Sequence, residues 1–176
     1  MYYARLLSET SEFSKNSEVS RVTNVVVMGM GEPFHNYDNT MAAIDRLNDP
    51  EGYNFGARRF TISTSGLIPA IRQFASEKRQ VNLAVSLHAS QNHLRESMMP
   101  VNKRYKIEEL LEACRDYVEA TGRRITFEWA LIYEINDTPE EARKLAALLK
   151  GMLCHVNAIP LNPTTGYTGQ PTTRER

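Results

Sequence analysis

The stretch from Val81 to Ser90 reads VNLAVSLHAS, and its alternation decides the fold. Successive side chains of a strand point to opposite faces. Val81, Leu83, Val85 and Leu87 therefore share one face, and Asn82, Ala84, Ser86 and His88 share the other. Outward from it lie four more runs of strand length: Asn24 to Met28 (NVVVM), Arg59 to Ser65 (RFTISTS), Arg124 to Ile132 (RITFEWALI) and His155 to Leu161 (HVNAIPL). Their β-branched and aromatic content favours strand, and the scarcity of charge in four of the five predicts sheet covered on both faces. Between the runs lie helical patterns. Ile107, Leu110, Leu111, Cys114 and Val118 fall on one stripe that Gly122 closes as a C-cap. Thr138 opens the next helix as N-cap, with Pro139 in its first turn, Glu141 completing a capping box and Leu145, Leu148 and Leu149 on its apolar side, up to Gly151. Weaker helices are expected over Thr40 to Leu47, Leu67 to Lys78 and Tyr2 to Leu7. This alternation predicts an α/β protein with five parallel strands joined by crossover helices.

Composition sets the outer bounds. At 176 residues the chain is about one domain's worth and is long enough to bury a core without disulfide or metal staples. We read it as a single domain over residues 1–176: a leading helix and loop at 1–21, strands and helices at 22–163, and a polar, turn-rich tail at 164–176 with nothing left to pack on. No apolar run reaches the roughly 18 residues that span a bilayer, and residues 1–21 lack the look of a signal peptide, so a cytoplasmic protein is the expectation. Basic and acidic side chains balance at 21 each, which argues against nucleic-acid binding by bulk positive field alone. Three basic pairs, Arg58-Arg59, Lys103-Arg104 and Arg123-Arg124, are ordinary solvated loop charges unless they converge in space. Cys114 and Cys154 have no CxxC spacing, so neither a disulfide framework nor a self-sufficient metal site is expected.

Polar residues collect near the C-terminal ends of the strands, the edge at which α/β folds place ligands. Thr61, Ser63 and Ser65 lie opposite Phe60 and Ile62, Ser86 and His88 end the third run, and Asn162 follows the fifth. The first run passes into Gly29-Met30-Gly31-Glu32, where glycines admit a close ligand and a carboxylate can hold an ammonium. Each residue also has a plainer reading. GxGE alone reads better as a tight turn followed by a surface glutamate, and the serines of the second run as strand residues entering the Gly66 turn. For His88 a satisfied structural histidine and a ligand contact stand level. Glu128, charged inside an apolar run, implies either a partner such as an arginine or a ligand, and the structural pair is favoured. Cys114 reads as a small buried hydrophobe, and Met98 and Met99 as packing residues ending a short helix.

Taken together, VVVMGMGEP (Val25 to Pro33), TISTSGLIPAI (Thr61 to Ile71), VNLAVSLHAS, MMPVNKRY (Met98 to Tyr105), LLEACRDYVEATGRRITFEW (Leu110 to Trp129) and CHVNAIPLNP (Cys154 to Pro163) resemble the RlmN/Cfr family of radical S-adenosylmethionine (SAM) RNA methyltransferases, and MGMGEP, STSG and PLNP resemble its RlmN branch. The resemblance implies a partial TIM-type (β/α) barrel with SAM across the strand C-termini. It implies cofactor contacts at Gly31, Glu32, Ser63, Ser86, Leu87, His88 and Asn162 and methylation of adenine C2 in 23S rRNA, with tRNA as a second candidate substrate and a reducing partner such as flavodoxin. It also implies a 4Fe-4S cluster on a CxxxCxxC motif and a methyl-carrying cysteine, neither of which this sequence contains. The expectation is therefore a core fragment without its first strand, with no catalytic or metal-ligating residue of its own, inactive in isolation and prone to dimerise through its open edge. A truncated, inactive SAM- or RNA-binding protein is the alternative.

Overall fold

The computed structural model describes residues 22–28, 31–162 and 169–173. Five strands, β1 (Val25–Val27), β2 (Phe60–Thr64), β3 (Asn82–Ser86), β4 (Ile125–Leu131) and β5 (Cys154–Pro160), pair in parallel in sequence order within one sheet. Five helices connect them: α1 (Tyr37–Asn48), α2 (Ile68–Ser76), α3 (Asn92–Met98), α4 (Ile107–Thr121) and α5 (Pro139–Leu149). All five expected runs are strands, and their sequential parallel order is that of an opened (β/α) barrel.

The core explains the register. Phe60, Ile62, Leu83, Val85, Ile125 and Phe127 are fully buried on one face of the sheet, in one cluster with Ile71 and Phe74 of α2 and Leu110, Cys114 and Tyr117 of α4. Phe74 and Tyr117 stack across the two helices with ring centroids 6.0 Å apart. The opposite face carries aligned rows across the sheet. Ser63, Ala84, Thr126 and His155 form one, and Ser86, Glu128 and Asn157 another nearer the C-terminal edge. A one-residue slip would exchange these rows with the core, so burial fixes the register.

The expectation that both faces are covered fails for the inner one, where Val26 and Ile159 are exposed among the described residues. Helix α4 ends where Gly122 turns left-handed at φ 64°, as its sequence indicates. Helix α5 is capped by Thr138, whose Oγ1 accepts from Glu141 N at 3.3 Å. The reciprocal half of that capping box is replaced: the Glu141 carboxylate accepts from Ser90 Oγ and Gln91 Nε2 and pairs with Lys144. It thus ties the segment after β3 to α5. The tail also departs from expectation: Tyr133 N donates to Gln170 O at 2.8 Å, Ile132 bridges Pro171, and Thr172 Oγ1 donates to Asp137. The helix expected over Tyr2 to Leu7 lies outside the described residues.

Candidate cofactor site at the carboxyl edge of the sheet

The five parallel strands deliver their ends to one edge, and four of them, β1, β2, β3 and β5, bring the polar residues singled out from the sequence there. The best-built of these positions is Glu32. It follows Gly31, N-caps the 3-10 turn Pro33–Asn36, and takes Phe34 N onto Oε1 at 3.1 Å. Its Oε2 accepts from both Ser65 N at 2.7 Å and Ser65 Oγ at 2.6 Å at the end of β2. Three of roughly four lone-pair positions are filled, which fixes the carboxylate without neutralising it. Among the described residues no Lys, Arg or His lies within ion-pair distance of it. A half-buried, immobilised and uncompensated carboxylate at a strand edge fits an ammonium group of a ligand.

Gly31 is exposed, and a Cβ added there would meet nothing within 4 Å, so the fold itself does not demand glycine. Gly66 is the opposite case: at φ +109° its added Cβ would lie 3.1 Å from both Leu110 methyl carbons and 3.2 Å from Arg95 Nη2. Ser63 is 8% exposed on the inner face, and Ser86 is half-buried in the row with Glu128. Asn162 is exposed just beyond β5. Leu87 differs from its neighbours, because its side chain is in the core and its N–H donates to Glu128 O at 3.1 Å. It shapes the edge through its backbone.

His88 is a satisfied structural histidine. Its backbone is left-handed at φ 58°, and its Nδ1 accepts from Ala130 N at 3.0 Å. That bond makes Nδ1 the unprotonated nitrogen and leaves the proton on Nε2. Burial, reinforced by the Arg95 charge, holds its pKa down at about 4, so the ring is neutral near pH 7. Asn136, 2% exposed, locks the same corner by donating from Nδ2 to His88 O at 2.7 Å and Ala130 O at 2.8 Å while accepting from Ile132 N. Glu128 needs a correction, since its carboxylate accepts from Asn157 Nδ2 at 2.8 Å and not from an arginine.

Sequence reading missed Arg95. It is fully buried, and it donates to the carbonyls of Ser65 (2.6 Å), Ser86 (3.0 Å) and Leu87 (3.2 Å) and to Asn102 Oδ1 (3.0 Å). One guanidinium thus gathers the ends of β2 and β3, and desolvation lowers its pKa to about 10. Asn102 is held in turn by its Nδ2 donating to Asn92 O and Oδ1. The available signal was a single arginine at the fourth position of a short helix following SLHAS; nothing in one sequence marks it as buried.

The two cysteines do not join this edge. Cys114 is inside the core on α4 with its pKa pushed up to about 12 by burial, and Cys154 opens β5 at the far edge of the sheet. With only two cysteines in the sequence, so placed, the residues present fit the SAM zwitterion but not a 4Fe-4S cluster.

Known proteins share this fold. The family model described as the radical SAM superfamily matches residues 8–148. A protein of Caldanaerobacter subterraneus named a probable dual-specificity RNA methyltransferase RlmN is 55% identical over 147 residues, covering 84% of this chain and 43% of that protein. One of the same name from Spiroplasma citri is 48% identical over 174 residues, covering 99% of this chain and 48% of its own. The crystal structure of a radical SAM methyltransferase from Sphaerobacter thermophilus superposes with a TM-score of 0.86 at 54% identity, over 92% of this chain and 48% of that one. A domain of a pyruvate-formate lyase-activating enzyme from Bacteroides vulgatus shares the fold at 15% identity, with a TM-score of 0.63 over 88% of each chain. The chain spans about half the length of the curated relatives it matches. It belongs to the radical SAM superfamily.

Proposed function

We propose that this chain is the SAM-holding part of a radical SAM methyltransferase that modifies C2 of adenine in 23S rRNA, with tRNA as a second substrate. The observation that carries the reading is Glu32, the uncompensated carboxylate fixed by Ser65 and Phe34 at the strand edge. When bound, SAM supplies the methyl group. The chain's own residues do the holding. Glu32 takes the methionine ammonium, and Gly31 leaves its backbone open beside it. Ser63, Ser86 and Asn162 offer hydroxyl and amide groups to the ribose and adenine. His88, neutral and with its proton on Nε2, presents a donor instead of a charge. Leu87 keeps the strand backbone in place from the core side. The relatives named as dual-specificity RNA methyltransferases support RNA as the substrate class. For the whole enzyme we expect a 4Fe-4S cluster, a reducing partner such as flavodoxin and a cytoplasmic setting; among the described residues no helix is long and apolar enough to cross a membrane.

One observation favours a second reading for the chain by itself. Its two cysteines cannot supply three thiolates, so alone it binds SAM or RNA without turning over. The test of the first reading is to exchange the Glu32 codon for glutamine in the source organism and quantify 2-methyladenosine in 23S rRNA and tRNA by mass spectrometry. Loss of the modified base is expected. Unchanged 2-methyladenosine contradicts the reading.

A further inference from the structure

A cleft of about 650 Å³ opens beside the cofactor edge, walled by Phe34, Tyr37, Leu67, Arg104 and Tyr105. That size suits a small organic group. Ser65, which holds Glu32, also lines it, so the cleft and the site of the preceding subsection are contiguous. The Arg104 guanidinium lies 5.3 Å from the Tyr105 ring centroid, and the Phe34 and Tyr37 rings follow 5.5 Å apart. No carboxylate lines the cleft, and among the described residues Arg104 has no acidic partner within 4.0 Å.

Of the other basic pairs, Arg59 lies 5.7 Å from the Phe55 ring centroid, away from this cleft, while Arg58 and Arg123 are differently employed. Arg58 and Arg123 converge at the opposite, N-terminal edge of the sheet, where both donate to Gln80 Oε1 (3.3 and 3.1 Å) and Arg123 also donates to Asn82 Oδ1 at 2.5 Å. Those guanidinium groups join loops to strands. Arg104 instead lies over the Tyr105 ring and lines the cleft.

We propose that this cleft seats an unpaired nucleotide of the RNA substrate, its base stacked on the Arg104–Tyr105 platform and its phosphate near Lys103 and Arg104. The proposal rests on the RNA methyltransferase reading above and adds to it the surface that grips the strand. Stacking accepts any base, because every base has a π-face, while free arginine and lysine side chains track the backbone. Unpaired RNA is favoured because its bases can be splayed onto protein rings, whereas paired bases cannot.

The test is fluorescence anisotropy of the chain with a labelled single-stranded RNA oligonucleotide and with its duplex. Single-stranded RNA should bind more tightly than duplex. Tyr105→Phe should keep that affinity, and Tyr105→Ala should weaken it at least about fivefold, the low end for losing one stacked base. The pair Arg58→Gln with Arg124→Gln, at the other edge, should leave it within about twofold. Because Tyr105 is half-buried, ultraviolet crosslinking of 5-bromouridine RNA to the unaltered chain, mapped by mass spectrometry, provides an independent readout, with the adduct expected on Tyr105 or Tyr37. The proposal is overturned if the unaltered chain binds no RNA, if Tyr105→Ala binds as tightly as wild type, if the lower-edge pair takes the loss, or if the adduct falls elsewhere. RNA binding that ignores Tyr105 removes the platform alone; the methyltransferase reading falls separately, if 2-methyladenosine survives Glu32→Gln.

Discussion

At the scale of residues, two glycines within the strand-end turns make opposite demands. Gly66 has a left-handed backbone with Leu110 and Arg95 pressed against it, so Gly66→Ala should cost about 1–3 kcal/mol in urea unfolding. Gly31 faces open space, so Gly31→Ala should leave the unfolding midpoint unchanged and weaken SAM binding, read by calorimetry. Arg95→Met would leave three strand-end carbonyls without their guanidinium donor, and a loss of about 3 kcal/mol is expected from the same unfolding measurement. His88 adds a pH dependence. Its folded pKa of about 4 lies below the unfolded value near 6.5, so the unfolded chain binds the extra proton in between. Its contribution is complete above pH 6.5 and is lost as pH falls towards 4, with about 2 kcal/mol gone by pH 5. Urea unfolding at pH 7.5 and pH 5 should show that difference shrinking in His88→Gln; equal pH sensitivity in the two proteins would show the histidine to be uninvolved. Residue types at the strand ends were legible because period-two alternation places them. Arg95, Asn102 and Asn136 were not, because burial of a polar side chain depends on partners that lie 30 or more positions away in the case of Ser65 and 48 in that of His88.

At the scale of elements, the sequence was most transparent where local chemistry and tertiary packing agree. Gly122 ends α4 and Thr138 starts α5 because a left-handed C-cap and a hydroxyl N-cap are short-range effects. Helix α1 begins at Tyr37, ahead of the expected Thr40, because it grows directly out of the 3-10 turn that Glu32 caps. The same carboxylate is thereby a local cap and a candidate ligand, and pattern reading sees only the first role. Glu141 went the other way, from an expected local cap to a tie between α5 and the segment after β3. Among the described residues β1 has no strand on its outer side, and Val26 within it is 51% exposed. An unpaired parallel edge invites pairing with a second chain. Sedimentation should show association that rises with concentration and weakens in Val26→Lys; a monomer at every concentration would contradict this.

At the scale of the molecule, zero formal charge conceals an uneven distribution. Several surface arginines are paired with carboxylates, as Arg72 is with Glu112 and Asp116 and Arg79 with Asp45 and Glu77. Among the described residues the carboxyl edge of the sheet instead holds Glu32 and Glu128, two carboxylates with no cationic partner, and, beside Glu32, the Arg104 guanidinium with no acidic partner. A ligand with an ammonium at one end and a polyanionic substrate alongside suits that arrangement better than either suits the net charge. The parallel sheet makes the arrangement by sending every strand end to one edge, while α2, α3 and α4 hold those ends from behind.

The most direct test of this account is calorimetric titration of SAM into the chain and into Glu32→Gln, with both shown to unfold at the same urea concentration. Saturable binding by the unaltered chain that weakens at least about tenfold in the variant, the loss of roughly one charge-assisted contact, is the predicted result. Equal affinity in the two proteins, or no binding in either, would contradict the placement of the cofactor at this edge.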